Sequence, residues 1–208
     1  MLNAHCELLA PNPTSGIFAT PRRKPNAALR PREYLTETEV EQLRKAARTG
    51  NRHGDRDEAM ILFAFRHGLR ACELVGLRWD AIDLEGGKLH CSRRKNGKPS
   101  VHPLTDGELR AMRRLRQEAP QSRYVFVSER GAPFTVGGFR RTITRLGVKA
   151  GFTFQVHPHM LRHACGYKLA NDGVDTRRIQ DYLGHKNIQH TVAYTALASD
   201  RFKGFWQD

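Results

Sequence analysis

The chain has 208 residues, with 35 Lys+Arg against 21 Asp+Glu, so the formal net charge is +14 with histidine neutral. That length suits one large domain, or one domain with an arm, and 39% apolar residues can fill a core. No run of about 18 apolar residues occurs, no secretory-signal pattern opens the chain, and Cys6, Cys72, Cys91 and Cys165 lack paired spacing. An intracellular protein without a membrane segment is expected. Its excess positive charge calls for a polyanion, either nucleic acid or an anionic membrane surface.

Residues 1–34 hold five prolines (Pro11, Pro13, Pro21, Pro25, Pro31) and the basic cluster Arg22-Arg23-Lys24, without a sustained apolar period. They read as a flexible arm, or as a basic arm laid on a nucleic-acid backbone. Order is expected from Leu35. Thr36 and Glu39 have capping-box spacing, with Leu35 and Val40 placed for the hydrophobic staple. Val40, Leu43 and Ala47 form a helical stripe that stops at Gly50. A second helix starts near Asp55 and runs through an apolar core segment at residues 60–65. Gly68 breaks it, and a short helix follows from Leu69 to about Val75. Residues 88–91 and 100–102 are strand candidates around Asn96-Gly97, a hairpin turn signal. Thr105 and Glu108 repeat the capping box and open a helix that ends before Pro120. Residues 124–127 are a third strand candidate. From Thr135 onward the pattern is helical, punctuated by Gly147, Gly151, Pro158, Gly173 and Gly184. The expected fold class is mainly α with a small antiparallel β-sheet (α+β).

Four stretches could carry chemistry, and each has a plainer reading. Arg70 opens a short helix directly after Gly68; it could pair with Glu73 at i+3, or present an oriented guanidinium to a phosphate. Lys95 and Lys98 at a hairpin tip are either solvated surface or ammonium groups delivered into a groove. Pro158 suits the first turn of a helix, which puts His159, Arg162 and His163 on a common face. His-x-x-x-His is also a zinc-ligand spacing, but Met160 stands where a metalloprotease motif needs Glu. His185 falls in a tight turn after Gly184, with Asn187 able to cap the helix that carries Tyr194. Two arginines, a lysine, two histidines and a tyrosine match the needs of metal-free attack on a phosphodiester. Cations offset transition-state charge, histidine and lysine move protons, and tyrosine stores the bond covalently.

Together these stretches resemble the tyrosine recombinase (phage integrase) family over roughly residues 35–208. His67-Gly68-Leu69-Arg70-Ala71-Cys72-Glu73-Leu74 is similar to its first arginine box. Lys95 matches its hairpin lysine, and His159-Met160-Leu161-Arg162-His163 its His-x-x-Arg box. Leu183-Gly184-His185 is similar to the second histidine box, and Tyr194, nine residues later, falls at the nucleophile spacing. The stretches 156–163, 179–185 and 190–192 are similar to those of the small DNA invertases that switch fimbrial promoters.

The resemblance implies a DNA breaking-rejoining catalytic domain that needs no cofactor, metal or ATP. By that resemblance Tyr194 attacks phosphate to give a 3′-phosphotyrosyl link, with Arg70 and Arg162 on the non-bridging oxygens. Lys95 would protonate the 5′-oxygen, His159 handle the tyrosine proton, His185 donate to phosphate and Glu73 orient the set. Double-stranded DNA is the implied partner, met by a homotetramer on paired sites, with accessory DNA-bending proteins as further candidates. Lys98 and Arg22-Arg23-Lys24 are candidate DNA contacts. A cytoplasmic, nucleoid-associated location follows. About 34 residues precede Leu35, too few for the separate core-binding domain of most members. Inversion of a promoter segment is the expected outcome. The alternatives are integration or excision of a mobile element, a type IB topoisomerase-like reaction, and a catalytically idle DNA-binding regulator. The complete residue set speaks against the last.

Overall fold

The computed structural model describes residues 33–93 and 97–196. The arm with Arg22-Arg23-Lys24 and the hairpin lysine Lys95 lie outside the described residues.

Helix α1 (Glu37–Arg48) begins at a reciprocal cap. The Glu39 amide donates to Thr36 Oγ1 at 3.3 Å, and the Thr36 amide donates to the Glu39 carboxylate at 2.8 Å. Its Val40, Leu43 and Ala47 stripe is buried against α2 (Gly54–Arg66). Helix α2 is the axis of the domain, with Met60, Ile61 and Phe63 at 0% exposure. A helix apolar on nearly every side can exist only in such a position. After it, Gly68 turns the chain at φ +56°, and a Cβ there would collide with Leu183. The short α3 (Ala71–Val75) follows. It starts after Arg70, which is extended (φ −67°, ψ 152°) and serves as N-cap.

The sheet holds β1 (Ile82–Asp83), β2 (Lys88–Cys91) and β3 (Ser100–Pro103) in the order β1-β2-β3, all antiparallel. Leu89 pairs with Ile82 on one side and His102 on the other, and all three side chains are buried. Helix α4 (Asp106–Glu118) opens at the Thr105–Glu108 cap. Four helices close the domain: α5 (Val136–Lys149), α6 (Pro158–Asn171), α7 (Thr176–Leu183) and α8 (Gln189–Ala196).

The expected strand at residues 124–127 is a correction: it is not part of the sheet, whose third strand is the two-residue β1. The Val125 amide bonds to Leu77 O while Phe126 O receives the Phe134 amide. With partners from two separate segments, only isolated bridges form, at Arg78–Tyr124 and Val127–Pro133. Val125 and Phe126 are buried all the same. Their apolar content was legible, and their pairing was not.

The main core gathers α1, α2, α5 and the first half of α6 around the sheet. A smaller cluster of Cys165, Ala170, Ile179, Leu183 and Tyr194 joins α6, α7 and α8. Among the described residues, no helix is long and apolar enough to cross a membrane. Phe139, at 0% exposure in α5, fills the main core. Phe139→Ala should lower unfolding free energy by about 3–5 kcal/mol, measurable by urea denaturation, because transfer and cavity terms add.

Candidate active site

Glu73, on the first turn of α3, organises the site. Its carboxylate is 2% exposed and accepts from the Arg70 amide at 2.9 Å and the Arg70 guanidinium at 2.8 Å. Arg93 Nη1 donates to it at 3.3 Å, and Arg162 Nη1 stands 4.0 Å away. Burial alone would raise its pKa, but the Arg70 bonds and the Arg93 and Arg70 charges hold it below the usual carboxylate range. Three guanidiniums thus surround one carboxylate, and the surplus charge is positive.

Arg162, from the second turn of α6, is 2% exposed. It donates to Gly68 O and, at 2.7 Å, to Leu183 O, tying the turn before Arg70 to the end of α7. Burial, with Arg70 and Arg93 nearby, pulls its pKa down to about 10, so it stays charged at neutral pH. Arg70 is the more open of the two, its side chain 25% exposed.

Gly184 ends α7 in the left-handed region at φ +66°, and His185 follows in the turn. The His185 ring shares a hydrogen bond with Thr191 Oγ1 at 2.9 Å, and its backbone oxygen accepts from Gln180. A cleft of about 660 Å³ opens here, lined by Arg70, Arg177, Lys186, His185 and His190, with Gln180 and Asn187 among the remainder. Among the described residues, no carboxylate lines it. That composition suits an anion with several oxygens.

Tyr194 lies beneath this region on α8, 3% exposed. Its ring packs against the bare α-carbon of Gly166, where a Cβ would lie 2.5 Å from Cε2. Its hydroxyl shares a 2.8 Å hydrogen bond with His163 Nδ1. Burial pushes the phenol up to about 12, with Arg162 pulling the other way. Burial and Arg162 pull His163 down to about 4. His159 stands on the exposed side, its ring edge-on to His163 with centroids 4.4 Å apart.

Arg70, Glu73, Arg162, His185 and Tyr194 therefore converge within one region, and His159 borders it. Lys98 does not join them. It lies in a separate groove between β3 and α7, 3.8 Å from Asp181. The structure adds Arg93, His163, Gly166, Arg177 and Lys186. His163 carried a signal, since it shares a helical face with His159. Arg93 did not, because its partners, the Glu73 carboxylate and backbone carbonyls, come from distant segments. Among the described residues, no group of three or more His, Cys, Asp or Glu is arranged to hold a metal ion.

A domain that gathers guanidiniums, histidines and a tyrosine beside a carboxylate-free cleft is built for phosphate-ester chemistry. Comparison with known proteins gives the class. The phage integrase family model matches residues 33–201. Type 1 fimbriae regulatory protein FimE of Escherichia coli K12 is 46% identical over 182 residues, covering 85% of this chain and 91% of FimE. Tyrosine recombinase XerC of Bacillus pumilus is 32% identical over 182 residues, covering 82% of this chain and 59% of XerC. The crystal structure of XerA recombinase superimposes with a TM-score of 0.71 at 28% identity, covering 83% of this chain and 63% of XerA. The chain belongs to the phage integrase family. It is a tyrosine-type, site-specific DNA recombinase by class, and it spans less than two thirds of the XerC and XerA chains.

The neutral histidines make stability depend on pH. Burial and neighbouring positive charge lower His102 and His185 to about 3, and His163 to about 4. Unfolded, each returns to about 6.5. Between the two values the unfolded chain binds more protons, so stability falls as pH drops from about 6.5 towards 4. Melting temperature measured across that range should decline steadily, and His102→Phe should flatten part of the slope.

Proposed function

We propose that the chain inverts a DNA segment by site-specific strand exchange, with Tyr194 as the nucleophile. The carboxylate-free cleft between Arg70 and His185 is the observation that carries the reading. Similarity to FimE over nearly the whole of both chains supports inversion rather than integration.

The scissile phosphate enters the cleft against Arg70 and His185. Arg70 offsets charge on the non-bridging oxygens as the pentacoordinate state forms. Arg162 acts first through its field, since carbonyls hold both terminal nitrogens; direct contact requires those bonds to exchange for phosphate oxygens. Tyr194 oxygen attacks phosphorus and the bond to the 5′-oxygen breaks. The product is a 3′-phosphotyrosine and a free 5′-hydroxyl. Lys95 supplies the proton to that leaving oxygen. The phenolic proton passes to the His163–His159 pair, with His163 in contact and His159 on its open side. A 5′-hydroxyl from the second duplex then reverses the step.

In the described arrangement burial keeps the proton on Tyr194, whose hydroxyl is hydrogen-bonded to His163. Attack requires the ring to leave its seat on Gly166 and meet phosphate among the arginines. Two such subunits on each of two sites would make a tetramer, acting in the cytoplasm on nucleoid DNA.

The test uses genomic fragments bound by the protein, carrying a nick beside the cleavage point so that the released 5′-end diffuses away. Wild-type protein should accumulate a covalent adduct. Tyr194→Phe should form none while binding the same fragments, and Arg70→Ala should slow adduct formation by about 100- to 1000-fold. A plasmid with two inverted copies of the site should yield the inverted isomer. Persistence of the adduct in Tyr194→Phe would overturn the nucleophile assignment.

A further inference from the structure

Arg177 stands in the first turn of α7 and is exposed, yet its head group is tethered. Nη1 donates to Gln180 Oε1 at 2.9 Å, one turn along the helix. Gln180, 8% exposed, in turn donates from Nε2 to His185 O at 3.0 Å. Only one orientation of the amide serves both neighbours, because a guanidinium has no acceptor and a carbonyl has no donor. A single buried amide thus ties Arg177 to the turn that carries His185.

This bracket is neutral, unlike those of other arginines in the domain. Arg44, Arg48 and Arg93 are each bonded to a carboxylate. Among the described residues Arg177 makes no ion pair, and Asp175 on the same turn accepts from the amides of Arg177 and Arg178. Arg177 is therefore oriented without its charge being cancelled. It lines the same cleft as Arg70 and His185. Each strand of a duplex carries a charge every ~3.4 Å of axis. A strand that sets one phosphate against Arg70 brings the next ones to the same cleft.

We propose that Arg177 binds the phosphate next to the scissile one on the cleaved strand, with Gln180 as the positioning residue that holds the guanidinium there. The inference rests on the reading of the Arg70 cleft as the seat of the scissile phosphate. One contact alone leaves the strand free to pivot, whereas two successive contacts fix its direction through the cleft. Glutamate cannot replace Gln180 in this role. It has no donor for His185 O when ionised, and it would pair with Arg177 and set a carboxylate against the phosphate.

The test neutralises phosphates one at a time. Duplexes of the bound sequence carry a single methylphosphonate, at the scissile position or at either neighbour on the cleaved strand. Affinity is measured with Tyr194→Phe as the parent chain, so that binding is read without cleavage. Adding Arg177→Ala should weaken binding of the unmodified duplex about 10-fold and make the slope of log K against log salt shallower by about 1. At one neighbouring position the methylphosphonate should cost the parent chain a similar factor and the Arg177→Ala chain nothing further. Gln180→Glu should reproduce that pattern at the same position. Losses that multiply at both neighbours overturn the proposal, as does unchanged affinity in Arg177→Ala. If Gln180→Glu binds as the parent does, or loses affinity equally at every position, the positioning role falls. Should Gln180→Glu fail to fold, Gln180→Met is read in its place with the same outcomes. Arg70→Ala is the control, and its loss should vanish on the scissile methylphosphonate. If it does not, the reading of the cleft fails. If it does and Arg177→Ala shows no coupled position, only the Arg177 contact fails.

Discussion

A single buried carboxylate with three guanidiniums around it holds the site together. Glu73 could not be charged in that position alone, and neither could Arg93 or Arg162, since desolvating each ion costs several kcal/mol. They are tolerable only as a set, with backbone carbonyls of His67, Gly68, Tyr182 and Leu183 meeting the terminal nitrogens of Arg93 and Arg162. The set draws on residues 67–73, 93, 162 and 182–183, so it exists only once the hairpin, α3, α6 and α7 have docked. Its charge does not cancel. The surplus lies beside the cleft that Arg70, the more open of the arginines, lines.

That surplus also governs the other titratable groups. Histidines beside buried arginines are held neutral, because a second positive charge there would be both desolvated and repelled. His163 and His185 are in this state, and neutral imidazoles are the form that can accept a proton or share a hydrogen bond with a hydroxyl. Tyr194 responds in the opposite sense: burial keeps its proton on, despite Arg162. The phenol is thereby held protonated within a small apolar cluster on α8.

Much of this was legible where local physics decides. Both Thr–Glu capping boxes start their helices where the spacing places them. Gly68 and Gly184 break the chain with positive φ, and the strands expected at 88–91 and 100–102 pair as β2 and β3. The order of motif residues pointed to the family before any geometry was available. What was hidden depends on partners far along the chain. Residues 124–127 have strand composition, but their backbone finds two different neighbours. Arg93 lies in a run of charge with Arg94 and Lys95 that reads as a solvated tip, and only Glu73 and carbonyls 25 to 89 residues away make it a core residue. His159 and His163 are equivalent in spacing, and the packing of Tyr194 on Gly166 decides which of them meets the phenol.

The net charge of +14 selects a polyanion only in a coarse sense, because much of the arginine is committed inside the domain. Glu58 is bonded to Arg44 and Arg48, Asp57 to Arg56, and Glu73 to Arg70 and Arg93. These pairs would persist with no ligand at all. Recognition depends instead on where acids are absent. Around the cleft, Arg70, Arg177 and Lys186 stand beside two histidines with no carboxylate among the lining residues. In contrast, a second cleft of similar size lined by Arg44, Arg48, Arg66, Arg110, Arg113 and Arg114 also contains Asp55, Glu58 and Glu108. It holds more arginine, but Glu58, Glu108 and Asp55 already pair with Arg44, Arg48, Arg66 and Arg114 there. The distribution of the few carboxylates, more than the count of cations, distinguishes the cleft beside Arg70.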